Sequence, residues 1–324
     1  MEADWAIAVH GGAGDLGVDD KPQWWTPAYC RVHKEAINEA LYSGKKILES
    51  GGSAIDAVCA AVVVLENCEW FNAGKGAVYT EDHFIELDAT IMDGRTGRFG
   101  SVACATDCQN PILLAKAMLD GPEIIVAREG ATTVAKRHGL KIVSPDYFSC
   151  RLNEMLYARN KNLNYDTSWH KEFEQEPKEC PDSTGETVGA VALDLSGTLA
   201  AGTSTGGKNG QIMGRIGDSA MIGAGTFATK RCAISCTGDG EGFIRYLVAK
   251  EIDDRMRFSD LLLDEALEQV IADELVLNGV KGGAIGIDNE GRVSILFNTD
   301  SMFRGLLNSE GWHEVGLGKV MHAK

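Results

Sequence analysis

The chain has 324 residues, long for one core and short for three domains, so it can build one large α/β domain or two tightly associated halves. Apolar residues make up 44% and charged residues 24%, which excludes a disordered or fibrous chain. The net charge of −16, with no run of Lys or Arg, excludes nucleic acid as a main partner, because phosphate binding needs a concentrated basic surface.

The chain opens Met-Glu-Ala-Asp-Trp, without the basic segment and apolar stretch of a signal peptide, and no apolar run reaches membrane-spanning length. The expectation is a cytoplasmic protein with no membrane contact. Residues 5–9 read as a strand feeding a glycine-rich turn, His10-Gly11-Gly12-Ala13-Gly14. Val32, Ala36, Ile37, Ala40, Leu41, Ile47 and Leu48 recur at helical spacing over 27–50, and Gly51-Gly52 ends the pattern. Ser53 with Asp56 caps a second helix over 54–65, apolar on nearly all sides and therefore buried.

Beyond Asn72-Ala73-Gly74-Lys75-Gly76, segments 77–80, 83–92 and 98–105 have strand character. Helices are expected over 111–119, with Pro111 in the first turn, and around 131–138 and 147–158. Residues 158–186 are polar and charged, and read as an exposed, mobile linker. At Thr187 the texture changes to Thr-Val-Gly-Ala-Val-Ala-Leu, a strand, with another at 198–202. A glycine-dense stretch (206–225), a strand (231–236), helices at 241–252 and 259–274, and strands at 282–287 and 292–298 complete the pattern. The nine cysteines are odd in number, scattered and without a CxxC pair, which points to reduced, structural thiols.

The junction at residue 187 carries the most information. A polar linker running into a buried strand that opens with a hydroxyl residue suggests a cleavable bond between Glu186 and Thr187. Cutting it would give Thr187 a free α-amine of pKa about 7.7 to 8.0, able to act as general base for its own hydroxyl.

The blocks His10–Gly14, Asn72–Gly76, Leu87-Asp88-Ala89-Thr90-Ile91-Met92-Asp93-Gly94, Thr187–Ala192, Thr203-Ser204-Thr205-Gly206-Gly207, Gly214–Ser219 and Thr237-Gly238-Asp239-Gly240-Glu241 follow one another in an order that resembles the plant-type L-asparaginases and isoaspartyl peptidases, threonine-dependent N-terminal-nucleophile hydrolases. The resemblance covers nearly the whole chain. It implies an α/β (α+β) fold, a four-layer αββα sandwich, in one structural domain cut into an α portion, 1–186, and a β portion, 187–324. It further implies a homodimer of processed αβ units acting on L-asparagine and β-aspartyl dipeptides.

Carried over position by position, the resemblance makes Thr187 the nucleophile, Thr205 the hydroxyl that aligns it, and Thr237 and Gly238 the oxyanion hole. Arg215 would hold the substrate's α-carboxylate and Asp218 its α-ammonium, with the Gly240 carbonyl facing the amine and Asn72 beside the nucleophile. It also implies a structural sodium ion on backbone carbonyls of the turn before Asn72, with Leu65, Glu66, Cys68 and Phe71 as candidates; such ligands leave no side-chain trace. No cofactor is otherwise required.

Each feature has a plainer reading when taken alone. Thr203-Ser204-Thr205 is also a β-favouring run, Arg215 and Asp218 also a surface ion pair, and Thr-Gly-Asp-Gly also a turn. His10 reads as structural, because the nucleophile carries its own base. Glu186 stands where the family usually has Gly or Asp, so slow or incomplete maturation is expected. Asp239 adds negative charge near the pocket and is expected to weaken binding of acidic leaving peptides. Two further readings remain open: a glycosylasparaginase-like hydrolase, and an uncleaved, inactive homologue serving as a binding or scaffold protein.

Overall fold

A computed structural model describes residues 3–14, 27–164 and 187–318. The cleavage position Glu186, most of the 158–186 linker and Cys180 lie outside the described residues. The architecture is mixed α/β, with two sheets and flanking helices.

The larger sheet has eight strands in the order β12-β11-β1-β5-β6-β2-β3-β4. Its members are β1 (Ala6–Gly14), β2 (Leu87–Asp93), β3 (Phe99–Ala105), β4 (Ile125–Ala127), β5 (Val188–Leu193), β6 (Leu199–Thr205), β11 (Ser301–Asn308) and β12 (His313–Gly318). Strand β5, which follows Thr187, pairs antiparallel with β1 on one side and β6 on the other. Segments from both sides of residue 187 thus share one hydrogen-bonded ladder. The smaller sheet has the order β10-β9-β8-β7, from β7 (Thr226–Ala228), β8 (Cys232–Gly238), β9 (Gly282–Asp288) and β10 (Val293–Phe297).

Three large apolar clusters follow from the patterning, beside two small ones at Val78, Met155 and Leu156 and at Ala103, Cys104 and Ala220. Helix α1 (Pro27–Glu49) buries Ala36, Ile37, Ala40, Leu41 and Leu48, and α2 (Ala54–Glu66) buries Ala57, Val58, Ala61, Val62 and Leu65, together with one face of the large sheet. Ser53 caps α2 by accepting the Asp56 amide at 3.1 Å, as its spacing predicts. Between the sheets lie Ala6, Ala8, Val191 and Ala201 from one and Ala233, Ile285 and Ile287 from the other. On the far face of the small sheet pack α6 (Gly240–Tyr246), α7 (Val248–Phe258) and α8 (Leu263–Leu267), through Phe243, Ile252 and Leu267.

Helices α3 (Pro111–Ala117), α4 (Glu129–Arg137) and α5 (Arg151–Asn160) overlap the expected spans, α5 after a 3-10 turn at Pro145–Phe148, and the helix expected over 259–274 is α8 continued by a π-helical turn, Glu268–Glu274, and α9 (Leu275–Leu277). Four differences have physical causes. The His10–Gly14 block is the end of β1 rather than a turn: β11 pairs with it as far as Gly14, across a bulge between His10 and Gly12. Residues 77–80 are not a strand, because the Val78 amide is taken by the Asn72 side chain. The helix expected over 241–252 breaks at Leu247, which is left-handed with φ 49°. The strand pair β11–β12 follows the two strands expected to close the fold; β11 is buried along its whole length, so its apolar residues show no alternation. The eight described cysteines are unpaired, and six of them are buried. Among the described residues, no helix is long and apolar enough to cross a membrane.

Candidate active site

Thr187 is buried at the threshold of β5, and its hydroxyl donates to Thr205 Oγ1 at 3.1 Å. Thr205, the last residue of β6, also accepts the Gly207 amide at 3.1 Å. Both lone-pair directions of that hydroxyl are therefore occupied, which sets its orientation relative to Thr187. Asn72 fastens the same corner: its Nδ2 donates to Gly207 O at 2.7 Å and its Oδ1 accepts the Val78 amide at 2.9 Å. The Asn72 side chain is spent on the protein's own backbone and is not among the residues that line the cavity.

His10 is fully buried below Thr187. Its Nδ1 lies 3.0 Å from the Thr187 carbonyl oxygen, which can only accept, and its Nε2 lies 2.8 Å from Ser235 Oγ. Burial drives the imidazole pKa down to about 3, with the Thr187 carbonyl opposing, so the ring is neutral: Nδ1 donates and Nε2 accepts. This agrees with the structural role read from the sequence.

At the end of β8, Thr237 Oγ1 accepts the Ala13 amide at 3.4 Å, which leaves its own proton to donate elsewhere. Gly238 follows, and the chain turns into α6 at Gly240. A Cβ at Gly240 would stand 2.8 Å from Arg215 Nη2 and 2.9 Å from Asp218 Oδ1, so only glycine lets this backbone approach both charged groups.

Arg215 is 15% exposed and presents its Nε–Nη2 edge to Glu241, at 3.0 and 2.9 Å. That pairing holds the Glu241 carboxyl down to about 2. Glu241 had no role assigned from sequence, although it closes the Thr237–Glu241 block. Nη1 reaches Gln211 Oε1 at 3.4 Å. Asp218 is buried, and its Oδ2 has no hydrogen-bond partner. Burial raises its pKa to about 7 despite the opposing field of Arg215, with the charges of Asp88 and Glu241 adding to the rise. An unpartnered carboxylate oxygen in this setting is costly unless something cationic binds it.

Thr187, Arg215, Asp218, Gly238 and Gly240 line one cavity of about 520 Å³, with Asp239 and Glu241 also on its wall. Asn160, Lys208 and Lys281 line it too, whereas Thr205 and Thr237 are buried and are not among the lining residues. Among the described residues, no group of three or more His, Cys, Asp or Glu side chains could hold a metal ion. In the turn from Leu65 to Phe71, the Leu65 carbonyl accepts the Cys68 amide at 3.2 Å and the Phe71 carbonyl accepts the Ala73 amide at 2.8 Å. Its one buried carboxylate, Glu66, is engaged elsewhere, by Ser204 Oγ at 2.7 Å, the Ile112 amide at 3.0 Å and Asn110 Nδ2 at 3.0 Å.

The asparaginase family profile matches residues 3–317. The chain is 42% identical to the isoaspartyl peptidase of Escherichia coli (strain K12) over 302 residues, covering 92% of this chain and 91% of that protein. It is 36% identical to the plant-type L-asparaginase of Pyrobaculum calidifontis, covering 92% and 95%. To the isoaspartyl peptidase/L-asparaginase of Xenopus laevis it is 33% identical, covering 95% and 93%.

Proposed function

Because the chain belongs to the asparaginase family, we propose that this amidohydrolase cleaves the side-chain amide of L-asparagine and the isopeptide bond of β-aspartyl dipeptides through an acyl-enzyme on Thr187. The observation that carries the reading is the unpartnered, buried Asp218 oxygen beside the Arg215 guanidinium, in one cavity with Thr187. A cation site next to an anion site matches the α-ammonium and α-carboxylate of an amino acid, and a shared cavity with Thr187 supports an amide side chain directed at the threonine.

The chain first cuts itself between Glu186 and Thr187, leaving an α portion, 1–186, and a β portion, 187–324, that remain one structural domain. The new amine of Thr187 then takes the proton from its own hydroxyl, whose oxygen attacks the amide carbonyl carbon. Thr205 aligns that hydroxyl, and negative charge on the former carbonyl oxygen is met by the Thr237 hydroxyl and the Gly238 amide. Each such donor contributes about 3 to 4 kcal/mol. As the C–N bond breaks, the amine returns its proton to the departing nitrogen, giving ammonia or a free amino acid. Water, deprotonated by the same amine, attacks the ester, releases aspartate and restores Thr187. Nucleophile, base and oxyanion donors all come from the chain, so the reaction calls for no cofactor.

The Leu65, Glu66, Cys68 and Phe71 carbonyls would hold a sodium ion that stiffens the turn leading to Asn72. The three apolar clusters support a four-layer αββα sandwich, and the working form is a cytoplasmic homodimer of processed αβ units. Time-resolved mass spectrometry of the purified protein, with an ammonia-release assay on L-asparagine, tests the reading. Fragments 1–186 and 187–324 should appear slowly, because Glu186 lacks the small or short side chain that eases the strained cut, and ammonia release should rise with them. A permanently intact chain that releases no ammonia refutes it.

A further inference from the structure

Arg215 sits on a glycine-bounded loop, Gly214-Arg215-Ile216-Gly217, that belongs to neither sheet, and Asp218 follows it at the start of a short 3-10 turn, Asp218–Ala220. Two buried carboxylates close together in sequence, outside the cavity lining, hold the loop's two ends. Glu86 Oε2 accepts the Gly214 amide at 2.6 Å, and Asp88 Oδ2 accepts the Gly217 amide at 3.1 Å. The loop's recognition groups thus hang between two charge-assisted hydrogen bonds, which are stronger than neutral ones.

The surroundings are built to keep those carboxylates in place. The other oxygen of Asp88 accepts the Cys104 amide at 2.8 Å, and Cys104 adopts a left-handed φ of 50° there. Arg128, also left-handed at φ 49°, sets its Nη2 3.0 Å from Glu86 Oε1. The same nitrogen would be 2.8 Å from a Cβ at Gly214, so the guanidinium covers the loop's first residue, itself at φ 86°. Left-handed backbone at non-glycine residues is unfavourable and persists only where the surroundings over-determine it. In β2, Asp88 is the register partner of Thr205 in β6. One residue, Asp88, therefore both pairs in register with the hydroxyl partner of Thr187 and tethers the Gly217 end of the loop.

We propose that Glu86 and Asp88 are positioning residues: Glu86 sets the Arg215 end of the loop against the substrate's α-carboxylate, and Asp88 sets the Gly217–Asp218 end and locks its distance from the nucleophile. The inference rests on the assignment of Arg215 and Asp218 to the two ends of the amino acid. Neither carboxylate touches the substrate; each acts through the backbone of the residues that do.

The test compares L-asparagine with L-aspartic acid diamide, which keeps the amine and the side-chain amide but has a neutral carbamoyl group in place of the α-carboxylate. In the processed enzyme, Glu86→Gln should raise KM for asparagine about tenfold, leave kcat within about twofold, and leave KM for the diamide unchanged. Asp88→Asn turns an amino group toward one of its two backbone amides, and should raise KM for both substrates about tenfold or more. If Glu86→Gln changes both substrates equally, or neither, the proposal is overturned. An Asp88→Asn enzyme that keeps both KM values overturns the assignment of Asp88, and should that variant fail to fold, Asp88→Glu, which keeps the charge and displaces the oxygens, is read the same way. Arg215→Met separates the premise: if it leaves the preference for asparagine over the diamide intact, the assignment of Arg215 is wrong, whereas an effect of Arg215→Met without one of Glu86→Gln defeats this inference only.

Discussion

The two sides of the cavity are constructed differently. The side proposed for the nucleophile is ladder-bound and has no charged side chain among its named residues: Thr187, Thr205 and Thr237 stand at strand ends, and His10 beneath Thr187 is an uncharged imidazole. The recognition side is charged and loop-bound: Arg215 and Asp218 depend on Glu241, Glu86 and Asp88. Strand pairing fixes positions without regard to pH, whereas a cluster of buried charges responds to every proton gained or lost. Chemistry should therefore be insensitive to changes that disturb binding, and the converse should hold as well.

The largest test of that division is Thr187→Ala, which removes nucleophile and base together. Turnover should fall at least about 10,000-fold, with the chain left uncut, while binding of aspartate by calorimetry persists. Loss of binding along with turnover would break the separation of the two sides.

A smaller effect is expected from pH. The Asp218 carboxyl titrates near 7 in the free enzyme, and only its ionised form accepts an ammonium, so kcat/KM for asparagine should climb between about pH 6 and 8. In the complex Asp218 is already paired, and kcat should follow only the Thr187 amine. Asp218→Asn should raise KM and remove the Asp218 contribution from the kcat/KM profile; an unchanged profile would assign that limb to another group.

The smallest effect belongs to the cavity wall beyond the recognition pair. Asp239, between Gly238 and Gly240, should disfavour acidic leaving groups, so Asp239→Asn should shift the ratio of β-Asp-Glu to β-Asp-Leu hydrolysis upward by about threefold. Equal ratios in the two proteins would remove Asp239 from specificity.

The sequence by itself determined the chemical parts and their local settings. Thr187 is legible because a polar segment gives way abruptly to a buried strand, and helices α1 and α2 are legible because apolar spacing and the Ser53 cap are local. The residues brought into one cavity, Thr187, Arg215, Asp218, Gly238 and Gly240, were all named from their motif blocks. What holds them was not. The backbone bonds of Asn72 are not legible in its motif block, Glu241 closes a motif block without a sequence-derived role, and Glu86 carries no signal at all. The bond from Gly214 to Glu86 joins residues 128 positions apart, and that from Gly217 to Asp88 joins residues 129 apart. Periodicity and capping report only on neighbours along the chain, so partners that meet across the folded sheets become visible only when tertiary structure has brought them within hydrogen-bonding reach.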